Sequence, residues 1–178
     1  MMLGGISLAL ITGALIFEYG WGFKPCDLCM WERWPHYLAI LVGLGGGAAV
    51  WRGYLPARLG LGVAALTLLL VAASGAISVY HAGVEWHFWA GPAGCTGNAF
   101  HYTGGALNLN ASGPLCDVAA WRLFGISLAG YNALISLAAA ALGLWALGTK
   151  GGDADGPQTP TPCPGHNGRC RSKVDPAG

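Results

Sequence analysis

Charge is what this sequence has least of. Of its 178 residues, 9 are Lys or Arg and 8 are Asp or Glu, together 10%, where an average soluble domain carries roughly 25%. So few charges cannot clothe a water-soluble globule of this size, and mean hydropathy is positive. A net charge of +1 gives no sign of a nucleic-acid or other polyanionic partner, so none is expected. Four stretches hold no Asp, Glu, Lys or Arg: residues 1–17, 34–51, 59–81 and 123–149. A bilayer crossing takes about 17 to 25 residues. The expected fold is an all-α integral membrane protein, a four-helix transmembrane bundle with spans at about 1–23, 30–51, 59–81 and 123–149.

Other absences narrow the reading further. The amino-terminal run has no basic n-region and no small-residue cleavage site before Cys26, so it reads as a span rather than a signal peptide. No internal repeat is visible, and no flavin or haem motif. Residues 151–178 are almost free of large apolar side chains and rich in Gly, Pro, Asp and Thr, and are expected to form a disordered tail. Between Leu59 and Trp121 there is no Lys or Arg. Arg52 and Arg58 lie in the short link between spans two and three, and Lys150, Arg169, Arg171 and Lys173 follow span four. Basic residues stay on the cytoplasmic side. Both termini are therefore expected inside, with the long loop 82–122 outside. Lys24 and Arg33 are minor exceptions at the outer mouth of spans one and two.

That topology sorts the six cysteines. Cys26, Cys29, Cys95 and Cys116 share the outer, oxidising face, where disulfides persist, whereas Cys163 and Cys170 face the reducing side. Cys26 and Cys29 form a Cys-x-x-Cys in "GFKPCDLCMWERWP", a spacing that closes a small, exchangeable disulfide. Cys29 falls in or just before the first turn of a helix, where the helix terminus favours a thiolate. Arg33 follows one turn later on the same face. Two plainer readings stay open, an inert structural disulfide or half of a zinc site. Strong zinc patterns need a second close pair, and Cys95 and Cys116 enclose twenty residues, so no metal is expected.

The segment between Cys95 and Cys116 is glycine-rich, so a disulfide there either staples the loop or exchanges with the first pair. His81 and Glu18 stand near the outer ends of their spans, as proton or cofactor ligands or as groups that snorkel into water. Trp86, Trp89 and Trp121 fit an interfacial aromatic belt, and Asn132 an interhelical hydrogen bond. "CPGHNGRC" in the tail offers Cys163, His166 and Cys170, read as a reduced and unoccupied set.

"KPCDLCMWERWP", "YHAGVEWHFWAGPAGCTG" and "PLCDVAAWRLFGISLAGYNALISL" together resemble the disulfide bond formation protein B family over roughly residues 6–147. The segment between Cys95 and Cys116 departs from it, being polar where better-known members are partly apolar. The resemblance implies a bacterial inner-membrane enzyme that reoxidises a periplasmic thioredoxin-like dithiol oxidase and passes electrons to ubiquinone or menaquinone. It implies that Cys95 forms the mixed disulfide with that partner and that Cys116 relays to Cys26. Cys29 would then meet the quinone beside Arg33 and His81. The competing class is a membrane scaffold or metal-binding protein whose outer disulfides are structural.

Overall fold

The computed structural model describes residues 1–93, 95–96 and 115–152. The expected tail, with Cys163, His166 and Cys170, and most of the loop between Cys95 and Cys116 lie outside the described residues.

The long charge-poor runs form helices. Helix α1 (Met2–Leu15) continues through a π-helical turn, Ile16–Gly20. Helix α2 (Asp27–Ile40) continues through a second such turn, Leu41–Gly46, into α3 (Gly47–Trp51). Helix α4 spans Leu59–Glu85 and α5 spans Leu128–Gly152. Among the described residues, Met2–Gly20, Leu59–Glu85 and Leu128–Thr149 are long and apolar enough to cross a membrane. The α2–α3 run is of similar length but opens with Asp27, Glu32 and Arg33 and holds Trp34, Pro35, His36 and Tyr37, which dilute its apolar character.

The packing is that of a bundle in lipid. Helix α4 packs most extensively on α5 and then on α2, and α1 lies on α2. Leu41, Leu61, Leu69, Leu142 and Leu144 are exposed, each above 60%, while Ser7, Glu32, His36, Ser74, Ser78, His81 and Ser136 are buried at 6% or less. Water-soluble proteins distribute these residue types the other way round. A hydrocarbon solvent explains the inversion, because polar groups must then find partners inside the protein.

At the end holding Met1, backbones meet over small residues. A Cβ on Gly43 would stand 2.8 Å from Thr67 Cγ2 and 3.1 Å from Gly4 Cα, and one on Gly4 would stand 3.0 Å from Leu44 N. Only glycine permits that approach of α1 to the α2–α3 run.

The opposite end departs from the sequence expectation of helix alone. Arg122–Leu123 pairs antiparallel with Ile126–Ser127 through a tight Phe124-Gly125 turn, so α5 begins at Leu128 rather than 123. Phe124 and Gly125 both have positive φ, 50° and 82°, the geometry a two-residue hairpin prefers. Ser127 Oγ then accepts the Gly130 backbone N–H at 3.1 Å, capping the first turn of α5. Helix α4 runs one turn beyond His81, carrying Glu85 into the bundle's polar end.

Candidate functional site

Pro25 and Cys26 end the irregular link after α1, and Cys26 becomes the N-cap of α2. Its Sγ accepts the Cys29 backbone N–H at 3.2 Å and lies 2.7 Å from Cys29 Sγ. Neither thiol is bridged. The cap acceptor is thus Cys26, one turn before the thiol that the sequence favoured. Cys26, outside the spans, has its pKa lowered. The hydrogen bond from the Cys29 side chain is the main cause, helped by the Cys29 backbone N–H and opposed by burial.

Cys95 and Cys116 form a disulfide with Cα atoms 5.3 Å apart. Both are buried in one cluster with Cys26, Leu28 and Val84, and Cys29 packs against it. Cys26, Cys29, Cys95 and Cys116 therefore meet in one place, although the second pair lies more than sixty residues downstream.

A polar network runs from the thiols into the bundle. His81 Nε2 lies 3.5 Å from Cys26 Sγ, and His81 Nδ1 lies 2.6 Å from Glu32 Oε1. An ionised carboxylate only accepts, so Nδ1 carries the proton and, in the neutral imidazole, Nε2 turns a lone pair to the thiols. Asn132 Nδ2 donates to Glu32 Oε2 at 3.0 Å and to Ser78 Oγ at 2.7 Å, while Ser78 Oγ donates to the Ser74 carbonyl. With both amide hydrogens engaged, Asn132 Oδ1 accepts from His36 Nε2 at 3.0 Å and from Ser136 Oγ at 3.1 Å. His36 Nδ1 is left to accept from Ser7 Oγ at 3.0 Å. Ser74 Oγ closes the set by donating to the Glu32 carbonyl at 2.9 Å. Every tautomer follows from one carboxylate, and α1, α2, α4 and α5 each contribute.

Arg33 is turned away from this network. Its Nη1 pairs with Glu18 Oε2 beyond the end of α1, and the two side chains are 11% and 20% exposed. Arg33 and Glu18, both singled out in the sequence, are thus partners. They line a cavity of about 390 Å³ together with Cys29, His36, His81 and Trp121, its walls completed by aliphatic side chains of α1 and α5. Trp121 stacks edge-on against Phe17 at 4.9 Å. Trp89 instead folds back against Gly83, its Nε1 donating to the Tyr80 carbonyl at 2.8 Å. Trp86 is 44% exposed.

Sequence reasoning missed Glu32, His36 and Glu85. The signal was present as periodicity: Cys29, Glu32 and His36 share one face of α2, as do Ser74, Ser78, His81 and Glu85 on α4.

Fold and site define a class: a mostly helical, multi-pass membrane protein with two cysteine pairs gathered at one end of its bundle. The family model described as "Disulfide bond formation protein DsbB" matches residues 1–146, and the chain belongs to that family. This places it among membrane oxidoreductases of disulfide bond formation. An uncharacterized protein of Rickettsia prowazekii (strain Madrid E), RP370, is 28% identical over 138 residues, covering 74% of this chain and 76% of that protein. No solved structure matches the chain.

Proposed function

We propose that the chain is a quinone-dependent thiol oxidase that reoxidises a thioredoxin-like dithiol partner outside the bacterial inner membrane. The observation that carries this reading is the shared burial of the Cys95–Cys116 disulfide with Cys26 and Cys29, beside a largely apolar cavity that Cys29 and Arg33 line. The α2–α3 run serves as the fourth crossing. The Lys/Arg asymmetry keeps both termini cytoplasmic.

A partner thiolate attacks Cys95 Sγ, breaking the Cys95–Cys116 bond and freeing Cys116 as thiolate. Cys116 attacks Cys26 of the oxidised first pair and releases Cys29. The partner's second thiol resolves its bond to Cys95, so the partner leaves oxidised. Cys95 then attacks Cys116, restoring that disulfide and releasing Cys26. Ubiquinone or menaquinone, as substrate, supplies an acceptor for the two electrons and two protons that leave when Cys26 and Cys29 close again. His81 Nε2, its tautomer set by Glu32, takes the Cys26 proton. Arg33 offers a cation to the acceptor's oxygen, with Glu18 holding it in place.

The test is quinone reduction by the purified chain, driven by a reduced thioredoxin-like protein. Turnover should require each of Cys26, Cys29, Cys95 and Cys116. Wild-type turnover in Cys95→Ser would refute the relay, and retention of both disulfides under mild thiol challenge would favour a structural staple.

A further inference from the structure

The reduced first pair has a second chemistry available to it. Cys26 Sγ, Cys29 Sγ and a ring nitrogen of His81 lie within 4.8 Å of one another. Glu85, one helical turn after His81 and 6% exposed, has Oε1 at 3.8 Å from His81 Nε2. Its other oxygen, Oε2, is buried with no hydrogen-bond partner among the described residues. A buried carboxylate oxygen left unbonded is costly, and such atoms call for an explanation. From these positions we propose that Cys26, Cys29, His81 and Glu85 form a zinc site in the dithiol state.

The geometry suits the ion. Bond lengths of about 2.3 Å to sulfur and 2.0 to 2.2 Å to nitrogen and oxygen put tetrahedral ligand atoms roughly 3.3 to 3.8 Å apart. Cys26 Sγ to His81 Nε2 is 3.5 Å and His81 Nε2 to Glu85 Oε1 is 3.8 Å. The two sulfurs, 2.7 Å apart, must separate by about 1 Å to fit the same tetrahedron. Cys29, the less buried of the two, lines the cavity and can turn into it. The surroundings suit zinc as well. His81 Nδ1 is bonded to Glu32, and a histidine that ligates zinc through one nitrogen usually donates its other N–H to a carboxylate. Soft thiolates with one imidazole favour zinc over magnesium or calcium. The cavity, which Cys29, His81 and Glu85 all border, supplies an entry path.

Binding moves no electrons. Two S–H bonds break, two zinc–thiolate bonds form, and two protons leave to solvent. While zinc is held, Cys26 and Cys29 cannot close their disulfide, so electrons already received stay in place. Zinc would act as a brake on the reduced enzyme. That regulatory role rests on the proposed oxidase cycle, whereas the site itself rests on geometry alone.

The experiment uses the full chain with Cys95, Cys116, Cys163 and Cys170 changed to Ser, in detergent, reduced and free of quinone. Titration with Co²⁺ should give one equivalent bound, with thiolate-to-cobalt charge-transfer absorption and the intense visible bands of a tetrahedral ion, all displaced by Zn²⁺. Glu32→Gln should weaken Co²⁺ binding about ten- to a hundredfold. Cys29→Ser should remove half of the charge-transfer intensity, and His81→Ala should abolish the tetrahedral spectrum. Glu85→Gln, which keeps shape and packing, should weaken binding without unfolding the chain. No charge-transfer absorption, or a spectrum indifferent to both Cys29→Ser and His81→Ala, would overturn the site. Quinone reduction by the wild type in chelator separates the two ideas: turnover without metal binding refutes the site alone, and metal binding without turnover refutes the oxidase alone.

Discussion

The two ends of the bundle are held together by different physics. At the end holding Met1, Gly47 and Leu59, contact is made by what is missing: Gly4, Gly43 and Gly46 let helices approach until their backbones or Val63 nearly touch. From the level of Ser7 toward the end holding Cys26, Glu85 and Leu128, Ser7, Glu32, His36, Ser78, His81, Asn132 and Ser136 join four helices by hydrogen bonds. Lipid gives no hydrophobic reason for helices to associate, so van der Waals fit and buried hydrogen bonds must do so. The difference teaches where function can sit. At Gly4 and Gly43 the glycine end has no room for a side chain. The polar end fixes the helices against one another and, at its rim, holds the thiols against a cavity.

Substitutions should separate these roles. The largest effect is expected for Glu32→Gln, which keeps the shape but removes the charge that sets the His81 tautomer. A hydrogen bond to a charged group is worth about 1.5 to 3 kcal/mol, so turnover should fall about ten- to a hundredfold with the chain still folded. Arg33→Ala should cost a similar factor, read in the quinone KM, with Arg33→Lys intermediate because the planar fork is lost but the cation stays. Unchanged turnover in Glu32→Gln would reduce the network to scaffolding.

At the other end the expected effect is on stability alone. Gly43→Ala sets a methyl against Thr67 and the Gly4 backbone, and overpacking of this kind costs about 1 to 3 kcal/mol. Thermal unfolding in detergent should shift down while quinone KM at low temperature stays put. A changed KM would mean that the two ends are coupled.

The smallest effect is a pH shift at Cys26. Its lowered pKa depends first on the Cys29 side chain. A depressed thiol contributes stability at pH above its unfolded pKa, and that contribution is lost as pH falls through the folded value. In chelator, the reduced chain should therefore keep Cys26 thiolate at lower pH than Cys29→Ala does, followed by thiolate absorbance or alkylation rate. Equal midpoints would show that the Cys29 hydrogen bond is not the cause.

Much of this contrast was legible in the sequence, and its limits have physical reasons. The helical runs are written in the absence of charge, and the first cysteine pair in its Cys-x-x-Cys spacing. Arg33 stood out through its distance from Cys29, but its bond to Glu18 depends on how α1 and α2 lie together, which no local pattern encodes. The Asn132–Glu32 and Asn132–His36 bonds join residues 100 and 96 positions apart, so only the polar faces of the helices could be read, not their pairing. The 122–127 hairpin was hidden because it places a phenylalanine at positive φ, a conformation that bulky side chains rarely adopt. The Glu85 contribution was lost by ending the third span one turn early.

The central claim, that the two cysteine pairs exchange electrons directly, is tested most directly by isolating one sulfur from each. In the full chain with Cys29, Cys95, Cys163 and Cys170 changed to Ser, only Cys26 and Cys116 remain. Mild oxidation in membranes should join them as a single intramolecular disulfide, mapped by mass spectrometry of the digested chain. Recovery of Cys26 and Cys116 as separate free thiols, or crosslinked only between molecules, would contradict the relay.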